Sequence, residues 1–161
     1  MKKIFILNKK EGETPLEALE SFRAKNKKYK DVKMTYAGRL DPLVSGLLII
    51  LAGDAVHAKE RYLGLSKEYD FSVLFGFATD TYDILGKITK VSHRQDLWGK
   101  EELEKKIKEN LKFFTGKFMQ SYPMYSSKTV RGKPLFSYAR AGKKVKKPEH
   151  EVSVKSLKFL G

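Results

Sequence analysis

The residues best suited to do chemistry lie in one short run, Tyr36-Ala37-Gly38-Arg39-Leu40-Asp41-Pro42-Leu43-Val44-Ser45-Gly46. Pro42 denies Asp41 the α region and breaks any regular element at this point. Glycines at 38 and 46 flank the run, so it reads as a loop that can expose a carboxylate at the mouth of a cleft. In an extended stretch Arg39 and Asp41 point the same way, and the guanidinium can hold the carboxylate ionised and oriented. A carboxylate held like this can serve as a nucleophile. The plainer alternative is a turn aspartate that ties down its own backbone, and spacing alone favours it.

Other reactive groups are scarce. The chain has no cysteine, which excludes disulfides, thiolate nucleophiles and cysteine-based metal sites. The histidines, His57, His93 and His150, are far apart and form no metal-spaced set. No cofactor is expected. Lys and Arg total 33 against 19 Asp and Glu, a formal net charge of +14 over 161 residues. So broad a positive field suits a polyanionic partner, and nucleic acid is the first candidate. A solvated lysine-rich surface is the bland alternative, and no long amphipathic basic helix supports a membrane surface. The apolar run Ile4 to Leu7 is too short for a signal-peptide core. No segment is long enough to span a bilayer, so a cytoplasmic location is expected.

The elements that must position these groups follow from periodicity. Lys3 to Leu7 reads as a strand. Thr14, Pro15 and Glu17 form a capping-box start to a helix with Leu16, Leu19 and Phe22 on one stripe. Lys25 to Lys30 reads as a surface loop ending that helix. Leu47 to Leu51 is a continuous apolar run that fits a buried strand, and Asp54 is a candidate cap for a helix through Leu63. Tyr69, Phe71, Val73 and Phe75 alternate with other residues at the period of a strand, with Phe71 and Phe75 as core. A turn-rich segment leads to a short strand, Ile88 to Val91. Lys100 to Phe114 is the clearest helix, carrying Leu103, Ile107, Leu111 and Phe114. Phe118 to Tyr125 reads as extended, Pro134 to Ala141 as a short helix and Val152 to Val154 as a strand. Interspersed helices and strands with antiparallel hairpins give an α+β domain, and the length fits one domain over 1–161.

With these residues in place, the run Gly38-Arg39-Leu40-Asp41-Pro42-Leu43-Val44-Ser45-Gly46-Leu47-Leu48 resembles the catalytic loop of the TruB family of tRNA pseudouridine synthases. Two further blocks fall in the same order. Lys67 to Phe71 followed by Gly76-Phe77-Ala78-Thr79-Asp80-Thr81 resembles the family's tyrosine-bearing strand and the turn after it. Pro123 to Lys128, Gly132 to Leu135 and Tyr138 to Gly142 resemble its third block. The resemblance runs from about Phe5 to Leu160. It implies a pseudouridine-synthase-like fold, a mixed and largely antiparallel sheet flanked by helices.

It also implies that a uridine is flipped out of structured RNA, most readily the T-arm uridine 55 of tRNA, and rejoined to ribose through carbon. Asp41 matches the catalytic aspartate. Tyr69 matches the pocket tyrosine, which stacks on the base. Arg39 joins them as the cation beside the carboxylate. Asp80 is expected to organise its loop or contact the target nucleotide, and Tyr125 to line the cleft. Lys128, Arg131, Lys133, Arg140, Lys143 and Lys144 are candidate phosphate contacts. Neither redox cofactor nor metal is implied.

The sequence departs from the family pattern in three places. A histidine that commonly lies five residues before the aspartate is Tyr36 here, able to stack in the space that a flipped base leaves. Arg39 stands where the tRNA enzymes have a small residue, and its surroundings resemble the related ribosomal and dual-specificity synthases. The family's downstream arginine block falls beyond Gly161, as does any PUA domain, so a C-terminally shortened catalytic domain is expected. A second copy or a partner chain would then complete the sheet. The alternative function is a non-catalytic RNA-binding or tRNA-folding module that keeps the synthase cleft.

Overall fold

The computed structural model describes residues 2–93 and 98–161. They form two compact units, Met1–Asp70 and Phe71–Gly161. Among the described residues helices alternate with strands, and every strand pairing is antiparallel, an α+β fold.

The first unit is a three-stranded sheet with a helix on it. Strand β1 spans Ile4–Lys9, helix α1 Pro15–Lys25, strand β2 Met34–Ala37, strand β3 Gly46–Ala52 and helix α2 Lys59–Leu63. The strand order is β1-β3-β2, which puts the continuous apolar run in the centre, as its composition requires. Leu48, Ile50 and Leu51 on β3 are fully buried. Helix α1 begins as expected: the Thr14 hydroxyl accepts from the Glu17 N–H at 3.2 Å, and the Glu17 carboxylate accepts from the Thr14 N–H at 2.7 Å. Its buried face runs through Ala18, Leu19 and Phe22 onto Leu48 and Ile50, with Phe5, Leu7, Met34 and Tyr36 packed around them. Leu16 departs from the expected stripe and is exposed. At 100° per residue it sits about 110° round the helix from the centre of the buried face.

Other expectations for this unit need correction. Lys25 to Lys30 is not simply a surface loop: a 3-10 turn, Lys27–Tyr29, brings Tyr29 into the core. Its ring packs edge-on against Phe5 at 5.1 Å, and its hydroxyl donates to the Lys2 carbonyl at 3.1 Å. The flanking lysines hide a core aromatic from any composition-based reading. Asp54 caps nothing, because its carboxylate pairs with Lys3 at 2.9 Å and the 3-10 segment Gly53–Ala58 precedes α2.

The alternating segment from Tyr69 to Phe75 is not a strand. Tyr69, Phe71, Val73 and Phe75 are all exposed, so Phe71 and Phe75 are not core. Alternation makes a strand only where a neighbour takes its backbone hydrogen bonds, and among the described residues no sheet edge does so.

Among its described residues the second unit has small ribbons and two α-helices. Strand β4, Phe77–Thr79, pairs with β5, Ile88–Val91. Helix α3 spans Lys100–Asn110 and continues as a 3-10 turn, Leu111–Phe114, with Phe114 exposed instead of inward. Strand β6, Gly116–Ser121, pairs with β9, Glu149–Val154. Strands β7, Thr129–Val130, and β8, Lys133–Pro134, are joined by Arg131 and Gly132, both at positive φ, the conformation of a type I′ hairpin turn. Helix α4, Leu135–Arg140, follows directly and buries Leu135 completely.

Candidate active site and nucleic-acid interface

Asp41 lies in the loop that joins β2 to β3. Its carbonyl accepts from the Val44 N–H at 2.9 Å, closing a turn with Asp41 first and Pro42 second, positions those residues favour. Asp41 is exposed. The hairpin fixes where this turn emerges, since Ala37 pairs with Ile49 before the loop and Gly46 pairs with Lys9 of β1 after it. Arg39 is exposed in the same loop. Tyr36 lies on β2 opposite Ile50; its half-buried ring packs on the core, and Lys59 Nζ sits 5.9 Å from its centre.

The turn has a support that the sequence reading missed. Lys9, at the end of β1, is wholly buried. Its Nζ donates to the carbonyls of Lys10 at 2.9 Å and Glu13 at 2.8 Å. Gly12, at φ 85°, turns its N–H onto the carbonyl of Pro42 at 2.8 Å. Nothing in the sequence separates Lys9 from its many basic neighbours, because its burial is set by the fold. Tyr69 belongs to the same unit but lies outside any regular element, 57% exposed.

The second unit brings several of the other candidates together. Asp80 and Tyr125 line one open cavity of about 570 Å³, with Met124, Lys143, Lys144 and Lys147 around it. The turn between β4 and β5 aims Asp80. The Lys87 N–H donates to Asp80 Oδ1 at 2.8 Å, and the buried Thr79 hydroxyl donates to the Asp83 carbonyl at 2.7 Å. Gly86 closes the turn so tightly that a Cβ there would press into Thr81, Thr79 and Asp80. The Asp80 carboxylate raises the pKa of the Tyr125 phenol above its ordinary value near 10, by its charge first and by a side-chain hydrogen bond second; Arg140 opposes it. The cavity thus offers an aromatic hydroxyl, a carboxylate and a lysine rim, a set that can take a base edge and a phosphate together.

The remaining cations are spread more widely. Lys128 Nζ lies 5.1 Å from the ring centre of Tyr122, which stacks on His150. Arg131 occupies the β7–β8 turn, Lys133 starts β8, and Arg140 ends α4 over Phe136 at 5.1 Å. Among the described residues no group of three His, Asp or Glu is arranged to hold a metal ion.

The fold agrees with comparison to known proteins. Residues 25–161 match the TruB family pseudouridylate synthase (N terminal domain), and the chain belongs to that family. Among its relatives is tRNA pseudouridine synthase B of Aquifex aeolicus, 36% identical over 96% of this chain and 51% of the relative. The protein of the same name from Fusobacterium nucleatum is 32% identical over 99% of this chain and 53% of the relative. That from Geobacillus thermodenitrificans is 35% identical over 98% and 50%. The chain spans about half the length of the curated relatives it matches.

Proposed function

We propose that this chain carries the nucleophile-bearing part of an RNA pseudouridine synthase, with the T-arm uridine 55 of tRNA as its foremost target. The observation that carries the reading is Asp41: a family motif set in an exposed turn whose ends are fixed by β1, β2 and β3. In the reaction the bond from ribose C1′ to uracil N1 breaks, the base turns, and C1′ bonds to C5. The C5 proton leaves and N1 regains one, so no electrons are exchanged with a third party. The Asp41 carboxylate acts at C1′, Arg39 of the same loop is the cation that orients it, and Tyr69 stacks on the extruded base. Tyr36 fills the space the base leaves. Asp80, Tyr125, Lys128, Arg131, Lys133, Arg140, Lys143 and Lys144 hold the RNA, and the basic surface draws it in. Residues 1–161 act as one catalytic domain in this reading.

A second reading, an RNA-binding or tRNA-folding module, is favoured by the amount of uncovered surface. The chain exposes 13005 Å². A folded chain of this mass exposes about 8,200 Å² as one domain, and about 9,900 Å² as two equal ones. The excess includes Phe71, Val73, Phe75, Ile88 and Val91, strand-forming residues left in solvent. In this reading a partner polypeptide covers them. A second copy of a chain with charge +14 is a poorer fit, because like charges repel.

Unmodified tRNA labelled with tritium at uracil C5 separates the readings. A synthase releases tritium at enzyme excess, and release maps to the T-arm uridine. Tight, salt-sensitive binding without release supports the module.

A further inference from the structure

The turn between β4 and β5 holds a tyrosine where its backbone favours glycine. Tyr82 sits at φ 65°, in the left-handed region, and is 77% exposed. We propose that the Tyr82 ring is a stacking platform for an unpaired RNA base, adjoining the nucleotide held at the Asp80–Tyr125 cavity. The inference rests on the reading of the chain as an RNA-binding synthase and adds a base contact to the lysines already named.

The turn presents this ring in a fixed place. Left-handed backbone crowds the Cβ of an L-residue against the following carbonyl, so glycine or asparagine would take position 82 at lower cost. Such strain persists only where the surroundings impose it, and it concentrates at sites that touch ligands. Here the residues on both sides of Tyr82 are tied. The Thr81 hydroxyl donates to Asp83 Oδ1 at 2.8 Å, and the Leu85 N–H donates to the same oxygen at 2.9 Å. The Thr79 hydroxyl donates to the Asp83 carbonyl at 2.7 Å, and the Lys87 N–H to Asp80 Oδ1 at 2.8 Å. A ring carried on a backbone already held in this way loses little freedom when a ligand covers it.

The chemistry around the ring selects its occupant. Asp80, two residues earlier, lines the cavity together with Tyr125, Lys143, Lys144 and Lys147. Two residues span at most about 7 Å, so a base next to the nucleotide in the cavity can reach Tyr82. The lysines take the phosphates on either side, and the exposed ring takes the flat face of the base. A base already stacked within a duplex cannot use the platform, whereas an unpaired loop base can. The ring therefore adds affinity for a loop without adding a charge contact.

The test compares the full chain with Tyr82→Phe, which keeps a ring, with Tyr82→Leu, which keeps only apolar bulk, and with Tyr82→Asn, which suits the left-handed backbone. Affinity is measured across a salt series for an unmodified T-arm hairpin RNA and for a blunt RNA duplex of equal length. Slow exchange of the Lys87 amide checks that the turn is intact in each variant. The expected result is a hairpin affinity lowered roughly five- to hundredfold in Tyr82→Leu and Tyr82→Asn, with an unchanged salt slope. Tyr82→Phe should bind within about twofold of the parent, and duplex affinity should be the same for all four proteins. Hairpin affinity retained in Tyr82→Leu and Tyr82→Asn overturns the proposal and leaves the exposed tip of Tyr82, Ile84 and Leu85 to a protein surface. A loss shared equally by the duplex, or one that makes the salt slope shallower, overturns it as well. If the parent chain binds neither RNA, the functional reading fails and takes the platform with it; a parent that binds both leaves the variants to decide the platform alone.

Discussion

Ile50 offers the sharpest test of how the fold presents Asp41. It sits in the middle of β3 with no solvent exposure, between Phe5 of β1 and Tyr36 of β2 and beneath Ala18 and Leu19 of α1. Ile50→Ala removes three carbon groups, worth about 2.4 kcal/mol of transfer free energy at roughly 0.8 each. Strands on both sides and a helix above hinder collapse, so a residual cavity adds to the cost, for a total of about 3–4 kcal/mol. A unit of this size is held by only about 3.5–10 kcal/mol, so the change removes a large share of its stability. Urea unfolding followed through the amide signals of Leu48 and Leu51 should show a midpoint lowered by about 2–4 M, for a slope of about 1–1.5 kcal/mol/M. Ile50→Val should cost only about 1 kcal/mol. A loss below about 1 kcal/mol in Ile50→Ala would refute the claim that β3 is the packed centre from which the Asp41 loop is hung.

Three other outcomes follow from specific contacts. Thr14→Ala should destabilise the first unit by about 1 kcal/mol in the same denaturation experiment. The Thr14 N–H, first, and then its hydroxyl lower the Glu17 pKa. The stabilisation is therefore present above the ordinary value near 4.5 and is lost as pH falls through the lowered one, a dependence that Glu17→Gln should flatten in acid titration of stability. Asp80→Asn should bring the Tyr125 titration back down towards 10, as read by tyrosine carbon NMR, because the raising charge is gone. Lys143→Ala and Lys144→Ala should each weaken RNA binding and make its salt dependence shallower by about one unit of slope, measured across a salt series.

How much of this was legible in the sequence depends on the range of the interaction. The capping box at Thr14 and Glu17, the buried strand at Leu47 to Leu51 and the break at Pro42 are local signals, and the structure repeats them. Tyr29 and Lys9 were not legible. Each is buried by elements far along the chain or by the closing of one turn, while its neighbours look like solvated surface. Tyr69 to Phe75 shows the opposite failure: the alternation is real, but a strand also needs a partner. The candidate site divides in the same way. Asp41 was readable as a loop carboxylate, whereas the contact of Asp80 with Tyr125 joins residues 45 apart through the Gly86 turn.

The central claim is that Asp41 is the nucleophile of a uridine-to-pseudouridine conversion. Its most direct measurement is single-turnover conversion of unmodified tRNA at excess protein, comparing the parent chain with Asp41→Asn and supplying both with the polypeptide equivalent to the rest of the relatives. The expected result is pseudouridine at the T-arm with the parent chain, and none with Asp41→Asn at equal tRNA affinity. Conversion that survives Asp41→Asn, or no conversion by the completed parent chain, would contradict it.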